Sequence, residues 1–138
     1  MADEKLIELN KVYKSYGSLK VLEGISLQVF KGEIVSIIGP SGCGKTTILN
    51  IIAGIISPDE GKVWVDENKK IGYVFQESRL IPWKNVEKNV WFVQKNYSFD
   101  KKKARKIREE LLRLAGMERY TSYFPSQLSG GMRQKVNL

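Results

Sequence analysis

The run GPSGCGKTT at positions 39–47 fits the pattern G-x-x-x-x-G-K-[S/T]. Gly39, Gly42 and Gly44 permit a sharp backbone path that turns successive N–H groups toward one point, with Pro40, Ser41 and Cys43 completing the loop. Lys45 adds positive charge for the β- and γ-phosphates of a nucleotide. The Thr46 hydroxyl is placed to ligate Mg²⁺, and Thr47 to donate to a phosphate nearer the sugar. On average residue usage, a chance match in a chain of this length is expected well below about one time in a hundred. Cys43 reads first as a small filler inside the loop, yet its position predicts that a bulky thiol adduct there blocks the nucleotide.

Such a loop has to be held between a strand and a helix. EIVSIIG (33–39) is largely apolar, as expected of a strand buried on both faces, and TTILNIIAGI (46–55) has helical spacing through Ile48, Ile51, Ile52 and Ile55, ending near Gly54. Ahead of them, LIELNKV (6–12) and ISLQVF (25–30) alternate apolar and polar residues, predicting half-buried antiparallel strands with a turn at Gly17 and Ser18. KVWVDE (62–67) and IGYVFQ (71–76) read as two further strands joined by a charged turn. After Pro82 the pattern becomes helical over 86–96 and 101–115. In the second helix Ala104, Ile107, Leu111 and Leu114 share a face, Asp100 is placed to cap the start and Gly116 the end.

The chain has 138 residues, 42% hydrophobic and 28% charged, which fits one domain or part of one and excludes collagen-like, coiled-coil or wholly disordered chains. Its most apolar stretch, ILNIIAGII at 48–56, is far short of the roughly 20 residues a bilayer-spanning helix needs. The polar, acidic start MADEKLIEL argues against export, and the single cysteine excludes an internal disulfide. The net charge of +8 is uneven: residues 95–119 hold nine basic and four acidic side chains. Nucleic acid, anionic lipid headgroups or an acidic protein would each suit that segment, as would plain solvation.

A second element narrows the chemistry. QLSGGMRQKV (127–136) resembles the signature motif of ATP-binding-cassette (ABC) ATPases; Ser129 is a good N-cap, and Gly130 and Gly131 let a phosphate approach a helix N-terminus. The resemblance runs from about Leu6 to Leu138. It implies an α/β, phosphate-loop NTPase fold of the ABC type. In this scheme 1–78 form the antiparallel β part and nucleotide-binding core, 79–128 an α-helical subdomain, and 129–138 the start of the signature helix. The carboxy-terminal part of the domain is then absent. It further implies that Tyr16, rather than Tyr13, stacks on adenine, and that Gln76 touches Mg²⁺ and the attacking water. Lys45 and Gln76 would then act in catalysis. The LIPWKNV run after Gln76 is similar to ATPases of bacterial nitrate, sulfonate and taurine importers. Trp83 within it reads as a packing residue or as a wall of a groove for a short helix of a membrane subunit.

The implied function is the ATP-binding subunit of an importer, cytoplasmic and peripheral on the inner face of the membrane. Two such subunits would sandwich two ATP molecules, each phosphate loop facing the partner's Ser129, Gly130 and Gly131, with transmembrane permease subunits as further partners. The family's Mg²⁺-binding Asp, catalytic Glu and later His have no counterparts here, and the sequence contains no histidine. Turnover by this chain alone is therefore expected to be very weak. Two rivals remain at this point: a nucleotide-binding fragment or regulator without turnover, and a soluble ABC protein acting on nucleic acid. No coiled-coil insertion, zinc cluster or second cassette supports the last.

Overall fold

The computed structural model describes residues 4–94 and 100–138. The first three residues of the polar start, the last two of the helix expected over 86–96, and residues 95–99 of the basic segment lie outside the described residues. The chain divides into two compact units, one ending at Tyr73 and the other running Val74–Leu138.

In the first unit, β1 (Lys5–Tyr16) and β2 (Leu19–Phe30) form an antiparallel hairpin about Gly17, whose φ of +59° suits glycine. β3 (Glu60–Val65) joins the other edge of β1, giving the order β2-β1-β3. A regular strand would send Leu9 and Val12 to opposite faces. Both are nonetheless fully buried, because the register shifts between them and Lys11 takes a φ of +47°. This bulge adds the one residue that restores a common face. Gly61 lies against it: a Cβ there would fall 2.2 Å from the Lys11 carbonyl oxygen. Leu9, Val12 and Leu22 then pack on Ile48 and Ile51 of α1 (Lys45–Ile52). Burial of each such side chain contributes about 2 kcal/mol. Ile55, expected to extend the helix, lies beyond it and is exposed.

Two expected strands are absent. Residues 33–39 and 71–76 have no ladder partner, and Ile34 and Ile38 stand 98% and 92% exposed. An apolar run becomes a buried strand only when neighbours pair with its edges and cover its faces, and among the described residues only β1, β2 and β3 pair. Ile37 alone of this run packs with Val21 and Ile25 around the core.

The second unit contains α2 (Val86–Gln94), α3 (Lys101–Leu114), two single 3-10 turns and α4 (Gly130–Asn137). Val86, Leu112, Met117 and Leu128 form its core. Asp100 stands at the N-cap of α3 without a side-chain capping bond, and three lysines follow in the first turn, where the helix dipole disfavours cations. Gly116, at φ +66°, ends the helix: its N–H donates to Arg113 and that of Met117 to Leu112.

The buried face of α3 differs from the expected one. Leu111 and Leu114 are exposed, the latter 70%, whereas Arg108 and Leu112 are buried. Arg108 is accommodated because its Nη1 and Nη2 donate to Gln94 Oε1 and Glu87 Oε1, both at 3.1 Å, while Gln94 Nε2 donates to the Ala104 carbonyl. A paired guanidinium thus shares the buried face of α3 with Leu112, while Leu111 and Leu114 lie outside it.

Trp83 does not pack inside; it is 76% exposed. Its loop is fixed from below by buried Asn89, whose Oδ1 accepts from the Ile81 N–H at 2.7 Å and whose Nδ2 donates to the Lys84 and Asn85 carbonyls at 2.9 and 3.0 Å. Asn89→Leu leaves the half-buried Ile81 N–H without its partner, so it is expected to cost about 1–3 kcal/mol in urea unfolding. An unchanged midpoint would show that the loop is held by other means.

Candidate functional site

The loop at 39–44 leads directly into α1, and its glycines are needed for different reasons. Gly42 and Gly44 have φ of +80° and +92°. Gly44 is also sterically closed: an added Cβ would meet Leu22 Cδ2 at 2.8 Å and the Val21 carbonyl oxygen at 3.0 Å. Gly39 has an ordinary φ, but a Cβ there would fall 2.7 Å from Cys43 Sγ. The side of the loop toward β2 is therefore filled at Gly44, and within the loop the Cys43 N–H donates to the Pro40 carbonyl at 3.4 Å.

Gly44 is the N-cap of α1 in a left-handed conformation, and the helix ladder opens with Ile48 N–H donating to the Gly44 carbonyl at 3.0 Å. The amides of Lys45, Thr46 and Thr47 precede that bond, so the ladder does not use them. No acidic side chain occupies the first turn. Lys45 Nζ donates back to the carbonyls of Gly39 and Pro40 at 2.8 and 2.6 Å and lies 3.5 Å from Cys43 Sγ. A cation and free helix amides thus converge on one place, the arrangement that stabilises a polyanion.

Tyr16, Val21, Gly42, Gly44, Lys45, Thr46 and Thr47 line a single hollow. Tyr16 is 51% exposed, at the end of β1, with Lys14 Nζ 5.8 Å from its ring centroid. Tyr13 points elsewhere, its hydroxyl against Gly24. Ser41 and Cys43 sit in the exposed part of the loop. Val21 belongs to the wall although the sequence reading passed over it; its only signal was a branched apolar side chain on the strand facing the loop.

The other sequence-designated residues belong to the second unit. Ser129 caps α4, its Oγ accepting from the Met132 N–H at 3.2 Å, and Gly130 and Gly131 form an exposed first turn with no atom within 4 Å of an added Cβ. Gln76 is exposed. The carbonyl just before it, that of Phe75, accepts from Gln134 Nε2 and Asn137 Nδ2, both at 3.4 Å. Sequence reasoning gave neither amide a role, since an amide three residues from another on a helix is an ordinary surface pattern.

The family model described as ABC transporter matches residues 22–138. An uncharacterized ABC transporter ATP-binding protein of Methanocaldococcus jannaschii is 40% identical over 96% of this chain and 52% of its own length. The aliphatic sulfonates import ATP-binding protein of Bacillus cereus is 41% identical over 94% and 55%. A solved ATP-binding cassette dimer in a post-hydrolysis state with ADP and Pi superposes with a TM-score of 0.84, at 35% identity over 96% of this chain and 67% of its own. The chain spans about half the length of these sequence relatives.

Proposed function

Because the chain belongs to the ABC transporter family, we propose that it is the nucleotide-binding part of an importer's ATPase subunit, working as one of a pair against transmembrane permease subunits at the cytoplasmic face of a membrane. The observation that carries this reading is the single hollow in which Tyr16, the Gly42–Gly44 turn, Lys45 and the first turn of α1 meet. In this reading adenine stacks on Tyr16. The phosphates take up the amides of the loop and of Lys45, Thr46 and Thr47, and Lys45 exchanges its two carbonyl partners for the β- and γ-phosphate oxygens.

Magnesium fits this site through few protein ligands. Among the described residues no cluster of acidic, Cys or His side chains could hold a metal by itself, whereas the Thr46 hydroxyl is exposed beside the hollow. One hydroxyl together with substrate phosphates and water suits Mg²⁺, with Gln76 as a further contact. When bound, the ion neutralises charge on the phosphates. Ser129, Gly130 and Gly131 offer the N-terminus of α4 to the nucleotide of the second subunit, and exposed Trp83 forms part of the groove for a membrane-subunit helix.

Cys43 supplies a test. Its sulfur lies within the loop, 3.5 Å from Lys45 Nζ, so a bulky maleimide there is expected to abolish binding of a fluorescent ATP analogue, with occupancy followed by peptide mass. Full ATP binding at complete modification would place the nucleotide elsewhere and remove this reading.

A further inference from the structure

α4 touches two backbone segments far apart in sequence. At its start, Arg133 Nη1 donates to the Leu128 carbonyl at 2.6 Å and to that of Pro125 at 3.4 Å, fixing the chain that leads into Ser129. Farther along, Gln134 and Asn137, three residues apart and so on one face, reach the chain around Gln76. Asn137 brackets that segment from both ends: its Nδ2 donates to the Phe75 carbonyl at 3.4 Å, and its Oδ1 accepts from the Arg79 N–H at 3.3 Å. Gln134 Nε2 donates to the same Phe75 carbonyl. The Arg79 guanidinium lies 5.2 Å from the Phe75 ring, closing the segment on itself. The carboxamide of asparagine or glutamine presents a donor and an acceptor in one plane, as such a bracket requires.

We propose that Gln134 and Asn137 are positioning residues: they fasten the segment bearing Gln76 to the helix headed by Ser129, so that a shift of Gln76 on nucleotide binding moves the Ser129–Gly131 surface with it. The inference rests on the functional reading above, which supplies the roles of Gln76 and Ser129. Neither amide is among the residues that line the nucleotide hollow, so their loss is expected to change coupling rather than binding.

Hydrogen exchange on the full-length subunit, with and without ATP, tests this alongside a separate measurement of ATP affinity. In the wild type, ATP is expected to change exchange both at 75–79 and at 128–132. Asn137→Leu should speed exchange of the Arg79 amide about tenfold or more, leave ATP affinity within about twofold, and remove the ATP response at 128–132 while that at 75–79 persists. Asn137→Asp keeps the acceptor for the Arg79 N–H but lacks the Nδ2 donor to Phe75, so it should leave Arg79 exchange near wild type while removing the ATP response at 128–132, which guards against a packing artefact in the leucine variant. Unchanged exchange at Arg79 in Asn137→Leu would overturn the bracket, and a preserved response at 128–132 in either variant would overturn the coupling. ATP binding without any response at 128–132 in the wild type would also overturn the coupling. Absence of ATP binding in the wild type would instead remove the functional reading and this inference with it.

Discussion

Lys45→Ala is expected to weaken ATP binding by about two to four orders of magnitude and to leave the melting temperature nearly unchanged. The first part follows from the loss of two charge-assisted contacts to phosphate, each worth about 1.5–3 kcal/mol where water is partly excluded. The second follows from the present partners of the ammonium: it donates to two carbonyls of an exposed loop and is no part of the core around Ile48 and Ile51. Isothermal titration with ATP and a thermal melt of the same variant separate the two effects. Retained affinity would show that Lys45 is a loop staple and no more; lost affinity together with a collapsed melt would show that it holds the fold.

Ser129→Arg should have the opposite distribution: ATP affinity close to wild type, ATP-driven pairing of subunits abolished. Ser129 caps α4 through one hydrogen bond from Met132, and losing that cap costs only about 1 kcal/mol. The larger effect is steric and electrostatic. Gly130 and Gly131 leave the helix N-terminus bare, and a long cationic side chain beside them would occupy the space a partner's phosphates need. Light scattering of the full-length subunit in ATP, with hydrolysis blocked, reads the outcome directly. Pairing at the wild-type level would exclude this surface from the interface.

How much was legible in the sequence depended on how local the determining physics is. The turn at Gly42 and Gly44, the start of α1 and the Ser129 cap were all readable, because each is fixed by residues within one turn of itself. The hairpin of β1 and β2 was readable for the same reason, though the bulge at Lys11 was not: the sequence shows Leu9 and Val12 at opposite parity, and only the buried face reveals the extra residue. Residues 33–39 and 71–76 were read as strands on composition alone, yet pairing is a property of the neighbour. Composition also misplaced the buried face of α3, where Arg108 found Gln94 and Glu87 and so shares that face with Leu112. The bracket by Gln134 and Asn137 spans some sixty residues of chain, and no periodicity marks a contact of that range.

The central claim is that nucleotide phosphates bind the hollow between Tyr16 and the start of α1. Amide resonances of the full-length subunit, followed while ADP is added, test it most directly. The account predicts large shifts at Gly42, Gly44, Lys45, Thr46 and Thr47, and contacts between the Tyr16 ring and the adenine protons. Saturable binding that leaves these five amides unmoved would contradict it.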